Sequence, residues 1–163
     1  MGGPIVMKVT YRFLAYAIAV LVVVQAGAIA YALSGLGAWV QDGGVLDAAT
    51  FEDESVTFPG VIGFMIHGMN GMMLIPAVSL ALLIVSFFAR IPAGLRWALV
   101  VFLLVGVQVT LGTMARSAAL PELGLLHGVN ALVLFTAAVY AGRRVAKATR
   151  VSGAPSTPER VTI

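Results

Sequence analysis

The sequence predicts an all-α integral membrane protein: a four-helix bundle of two repeated hairpins, related by a pseudo-two-fold axis along the membrane normal. Three observations carry that prediction. The chain of 163 residues is 60% hydrophobic and only 10% charged, whereas soluble domains carry about 25% charged residues. Its apolar residues fall into four runs, roughly 11–33, 58–89, 97–114 and 123–140, each within or near the length range of about 17–25 residues, or more when tilted, that spans a bilayer core as a helix. The tetrad His-Gly-x-Asn occurs twice, at His67–Asn70 in the second run and at His127–Asn130 in the fourth.

Taken in order, residues 1–10 form a short N-terminus and span one follows. Span one has a basic flank, but its apolar core is longer than the roughly 7–15 residues of a signal-peptide h-region, so it reads as a retained helix. It carries Gln25, with Ala26, Ala30 and Ser34 as a candidate small-residue packing face. The outer loop, 34–57, holds Gly43, Gly44 and the acidic cluster Glu52–Glu54, with Trp39 and Phe51 as candidate interface anchors. Pro59 and Gly60 open span two, which is too long for one perpendicular crossing. Tilt, a bend at Pro76 or a first turn standing outside the membrane would reconcile its length with the bilayer. A short inner loop with Pro92 and Gly94 makes spans two and three antiparallel neighbours. Span three carries Gln108 and ends near Arg116, and Leu120–Glu122 turns the chain into span four. The bundle closes near 142, and the basic segment 143–163 reads as a disordered tail.

The charges set the orientation. Lys8, Arg12, Arg90, Arg96, Arg143, Arg144, Lys147, Arg150 and Arg160 fall on one side, while the other two loops carry nearly all the acidic residues and only Arg116. The positive-inside rule therefore places both termini in the cytoplasm, in a bacterial or archaeal cytoplasmic membrane. The basic excess speaks for topology and contact with anionic lipid, and against nucleic acid as a partner. With no cysteine, disulfides, thiolate metal sites and cysteine nucleophiles are excluded.

The repeat extends beyond the tetrads. Gln25 precedes Ser34, and Gln108 precedes Ser117, by the same interval, and each of these helices is followed by one bearing His-Gly-x-Asn. His67 and His127 then lie at similar depth, and ionisable side chains inside a membrane mark function by default. Two of them on repeat-related helices suit axial coordination of one haem iron from both faces. Gly68 and Gly128 remove bulk beside each ring, and Gly63, Gly71, Gly124 and Ala131 keep the histidine faces small. Asn70 and Asn130 share those faces and can donate to a ligand or to a neighbouring helix, while Arg116 sits where a haem propionate would emerge. Met65, Met69, Met72 and Met73 cluster around His67 and leave a Met/His ligand pair open as a lesser alternative. Either histidine alone would read as hydrogen-bond glue between helices. The pair reads as a haem site.

The stretch VQVTLGTMARSAALPELGLLHGVNALVLF, from span three into span four, resembles the haem A synthase family of cytochrome oxidase assembly proteins. In that family a Gln…Leu-Gly helix is followed by Leu-Pro and a helix with an axial histidine. Larger members join two four-helix halves, and this chain looks like one half over residues 11 to about 142. The resemblance implies that His67 and His127 are axial ligands of a haem b cofactor, with haem O or A the related alternatives. It departs from the substrate-binding half, which has a glutamate three residues before its first histidine where this chain has Phe64. Many members also have a cysteine pair that is missing here.

Three functions follow as expectations. The first is a b-type haem-binding membrane protein serving electron transfer or haem handling. The second is a half-size haem A synthase acting as a homodimer, an oxidoreductase. The third is a cofactor-free accessory subunit of a respiratory complex.

Overall fold

The computed structural model describes residues 3–47, 49, 50, 53, 55–118 and 120–152, with side-chain surroundings given for fewer near the helix ends. It is all-helical among these residues. The four long helices are α1 (Gly3–Gln41), α2 (Ile62–Ala89), α3 (Gly94–Ala118) and α4 (Pro121–Ser152). All four are long and apolar enough to cross a membrane, which makes the chain a multi-pass membrane protein. Large apolar side chains such as Phe13, Leu125 and Leu132 point outward, where water would penalise them and lipid does not.

The helices run up-down-up-down. α1 packs against α2 and α4, and α3 packs against α4 and the second part of α2, so the four form a ring of antiparallel neighbours. The start of α1 and the end of α4 therefore lie at one end of the bundle, here the terminal end. The opposite end, which carries the α1–α2 connection, is the loop end.

Three of the four helices, α1, α3 and α4, are longer than the apolar runs that predict them. α1 starts at Gly3 and continues to Gln41, because the residues after 33 include good helix formers and nothing stops the helix before Gly43. There the chain turns left-handed (φ 97°), and the Gly44 N–H closes on the Trp39 carbonyl at 3.0 Å, a glycine-terminated end. At about 1.5 Å per residue α1 is far longer than a bilayer core is thick, so it stands out of the membrane and the loop is shorter than 34–57. The segment after residue 142 is helical through Ser152, not disordered from Arg143, because its Ala, Arg and Lys residues favour helix. Residues 153–163 lie outside the described residues, as do Phe51, Glu52 and Glu54.

α2 begins at Ile62 rather than Phe58. The turn at Pro59 and Gly60 (φ 91°) rests on α1 near Tyr31. Here Gly is required twice over, by its backbone angle and by the approach of the Tyr31 carbonyl, 2.7 Å from where a Cβ would stand. The seam between α1 and α2 runs along Ala28, Ala32 and Gly35, whereas the expected face of Ala26, Ala30 and Ser34 is exposed. Gln25 points into the same seam and fixes which face of α1 meets α2. Ahead of Pro76, residues Asn70–Leu74 form a π turn, in which the Ile75 N–H reaches back to the Asn70 carbonyl. This wider turn falls just before Pro76, which itself offers no N–H to the ladder.

The core lies almost wholly at the terminal end. Tyr11, Ala15, Ile18, Leu82, Val101, Leu134 and Ala138 are buried together there. The Tyr11 hydroxyl donates to the Gly94 carbonyl at 2.9 Å and braces the α2–α3 turn, where Arg90 (φ 50°) and Ala93 (φ 58°) are left-handed. Towards the loop end, buried residues thin out to Ala32, Gly63 and Asn70. Trp39, Phe58 and Phe64 cover that end, with ring centroids 6.0 and 6.2 Å apart along the chain of contacts. In the loop, Asp47 accepts from the Thr50 N–H and hydroxyl at 2.8 and 2.7 Å, which lowers its carboxyl pKa.

A Cβ at Gly63 would overlap the Ala28 carbonyl, so Gly63→Val forces α1 and α2 apart at an overpacking cost of about 1–3 kcal/mol. Thermal unfolding in detergent should show a clear loss of stability for Gly63→Val and little change for Gly68→Ala, whose Cβ would meet nothing within 4 Å.

Candidate functional site: a repeated glutamine–histidine clamp

Each hairpin builds the same polar unit. In the first, the Gln25 side-chain amide donates to the His67 carbonyl at 2.9 Å, while His67 Nδ1 lies 3.2 Å from the Gln25 carbonyl. In the second, the Gln108 amide donates to the His127 carbonyl at 3.1 Å, and His127 Nδ1 lies 3.1 Å from the Gln108 carbonyl. Each Gln and His thus clamp one another through side chain and backbone in both directions. The partners are 42 residues apart in the first hairpin and 19 in the second, so the geometry repeats while the connection differs.

The asparagines complete the unit. Asn70 donates to the Leu21 carbonyl at 3.3 Å and Asn130 to the Leu104 carbonyl at 3.0 Å. In each case the acceptor lies one helical turn before the clamping glutamine. Both asparagines are therefore committed to the neighbouring helix, the second of the two roles the sequence left open for them.

The two clamps fix the histidine chemistry. A carbonyl only accepts, so Nδ1 carries the hydrogen in each ring and Nε2 keeps its lone pair. Neither Nε2 has a partner among the described residues. A backbone carbonyl holding Nδ1–H is the arrangement that orients metal-binding imidazoles and raises their basicity. The two rings face one another across the bundle, with centroids 6.1 Å apart and planes inclined at 55°. They come from different hairpins, in the part of the bundle where the apolar core has thinned out.

The glycines divide into two roles. A Cβ on Gly68, Gly124 or Gly128 would meet nothing within 4 Å, and all three are exposed on the outer faces of their helices. Gly63 and Gly71 instead serve packing: the first admits α1, and a Cβ on the second would lie 2.5 Å from Gln25 Nε2. Gly112 of α3 is a site residue that sequence reasoning missed. A Cβ there would stand 3.0 Å from His127 Cε1, so Gly112 makes room for the ring. Its place four residues after Gln108, on the same helical face, was the available signal.

Met65, Met69, Met72 and Met73 are exposed on α2. Arg116 lies near the end of α3, but its side chain is outside the described residues. No group of three His, Cys, Asp or Glu side chains converges among the described residues.

The two units differ in one respect. Asn130 also donates to Gln108 Oε1, at 2.6 Å. In the first hairpin, which carries the π turn, Gln25 Oε1 and Asn70 Oδ1 are buried without a donor among the described residues.

A family model described as a family of unknown function (DUF6220) matches residues 48–115. That stretch includes α2 with His67 and Asn70, and α3 with Gln108, but stops before His127. No curated protein and no solved structure matches the chain.

The extra bond in the second unit predicts different couplings. In double-mutant cycles read by unfolding in detergent, Gln108→Ala and Asn130→Ala should be non-additive, by about 0.6–1.7 kcal/mol, the range of hydrogen bonds between membrane helices. Gln25→Ala and Asn70→Ala should couple more weakly. Equal coupling in the two pairs would contradict the asymmetry.

Proposed function

We propose that the chain is a membrane haem protein of b type, in which His67 and His127 are the two axial ligands of one iron. The separation of the rings is the observation that carries this reading. A metal–imidazole bond of about 2.0–2.1 Å, plus about 1.1 Å from nitrogen to ring centre, puts two coaxial imidazoles roughly 6.2 Å apart. The observed distance is 6.1 Å. Packed rings also sit at such separations, as Trp39–Phe58 does at 6.0 Å. What sets the imidazoles apart is that each Nδ1 is held by a backbone carbonyl while neither Nε2 has a partner among the described residues.

The surroundings suit a flat macrocycle. Gly112 leaves room for the His127 ring, the apolar core stops short of both histidines, and Trp39, Phe58 and Phe64 shield the loop end from water. With both axial positions filled, a bound haem supplies one-electron chemistry and has no open coordination position for a substrate. The chain's own residues orient the imidazoles through the Gln25 and Gln108 carbonyls and keep the site dry. This supports electron transfer or haem handling.

The layout agrees with the resemblance to one half of a haem A synthase. Residue 64, where the substrate-binding half has a glutamate, is a phenylalanine packed edge-on against Phe58. It offers no acid or base, which favours the cofactor-type half over a half-size synthase. On the positive-inside reading, the terminal end with its arginines faces the cytoplasm of a prokaryotic cell, and the histidines lie in the outer half of the bilayer.

Protein purified in detergent and supplied with haem should show sharp low-spin bands in a reduced-minus-oxidised visible spectrum, with close to one haem per chain by pyridine haemochrome. His67→Ala and His127→Ala should each abolish those bands. A protein that takes up no haem, or single variants with an unchanged spectrum, would refute the site.

A further inference from the structure

The terminal end carries a second unsatisfied polar cluster, about half the bundle away from the histidines. Trp97, in the first turn of α3, packs against Tyr140 of α4 with centroids 4.4 Å apart and ring planes inclined at 52°. Arg144, one turn after Tyr140, lays its guanidinium over the same ring at 5.2 Å. Trp97 Nε1 and Arg144 Nε are both buried, and neither has an acceptor among the described residues. Both groups are donors only, so what would satisfy them is an acceptor, and the fixed cation calls for an anionic one.

The described residues provide no such anion nearby. Residues 1–41, 55–121 and 123–158 contain no Asp or Glu at all, so every helix end at the terminal end lacks a carboxylate. The same end gathers Arg12, Arg90, Arg96 and Arg143 as well as Arg144. Among the described residues there is no counter-ion, so an external anion suits the site. The depth fits as well, since Trp97 and Arg144 both sit within a turn or so of the ends of apolar spans, where tryptophan and arginine meet phospholipid headgroups.

We propose that Trp97, Tyr140 and Arg144 form a binding site for a phosphate group, carried by an anionic phospholipid of the adjoining leaflet. In it the Trp97 indole N–H and the Arg144 Nε–H donate to phosphate oxygens. The Tyr140 ring holds the guanidinium in place, and the acyl chains lie along the exposed apolar faces of α3 and α4. The site is separate from the histidine pair and does not depend on haem.

Native mass spectrometry of the detergent-solubilised full chain, titrated with phosphatidylglycerol, phosphatidylcholine or inorganic phosphate, tests the proposal. Phosphatidylglycerol should be retained about fivefold more strongly than phosphatidylcholine, the scale of one favourable cationic contact at a membrane surface. Trp97→Phe keeps the ring and removes only the N–H. It and Arg144→Gln should each bring retention down towards the phosphatidylcholine level, while Arg143→Gln, at the exposed neighbour, should keep most of it. Circular dichroism of each variant confirms that the bundle is formed. Inorganic phosphate binding that is lost in both variants, without retention of phosphatidylglycerol, would keep the phosphate site but assign it to a soluble phosphate ester. Equal retention of both lipids without phosphate binding would overturn the proposal. So would an Arg143→Gln loss as large as that of Arg144→Gln, which would reduce the effect to diffuse surface charge.

Discussion

Inside hydrocarbon a polar group without a partner costs several kcal/mol, and the rest of this structure is arranged around that constraint. Two glutamines, two histidines and two asparagines enter the bilayer, and each is tied to the backbone of the neighbouring helix. Serine and threonine hydroxyls meet the same demand locally. Ser79, Ser86, Thr110 and Thr136 donate to carbonyls one turn back in their own helices. The Gln–His clamps go further, because they satisfy a carbonyl on each helix and also decide which imidazole nitrogen carries the proton. Pairing the helices and leaving each Nε2 with its lone pair are thus the work of one set of hydrogen bonds.

That coupling explains how the bundle can be tight at one end and loose at the other. At the terminal end, small residues such as Ala15, Ala98, Ala138 and Ala141 let the helices close around Tyr11, Ile18 and Leu134. Near the histidines the clamps hold each hairpin together, so the hairpins do not need to close on one another. The facing imidazoles stand in the space that results. Rigid packing at one end and clamped hairpins at the other give a site whose two halves are positioned independently but meet at a fixed distance.

Much of this was legible in the sequence, for identifiable reasons. The four-helix membrane architecture follows from apolar run lengths, and the facing of His67 and His127 follows from the repeat. Gln25 and Gln108 were legible as repeat-related polar residues, and each proves to be a contact between helices. The reciprocal form of the clamp was not legible, because it depends on side-chain reach between helices far apart in sequence. The seam along Ala28, Ala32 and Gly35 was missed because alanine and glycine occur on more than one face of α1. Only the Gln25 contact selects among those faces. The π turn is a local response to Pro76 and the polar contacts around it, which residue spacing does not encode. The ends of α1, α3 and α4 were placed too far inward, because hydropathy marks where lipid begins, not where hydrogen bonding stops. The start of α2 was placed four residues early, because Phe58 is apolar but Pro59–Gly60 form a turn. Trp97 and Arg144 escaped notice since each alone looks like an ordinary interfacial anchor.

The central claim is that one iron is held between two imidazoles whose planes are inclined to each other. Electron paramagnetic resonance of the oxidised, haem-loaded protein addresses it most directly, because ferric haem reports both its axial ligands and their relative orientation. The account predicts a purely low-spin signal with strong anisotropy, as expected for two imidazoles whose planes are far from parallel. A high-spin axial signal would mean that at least one histidine is not a ligand, and would contradict it.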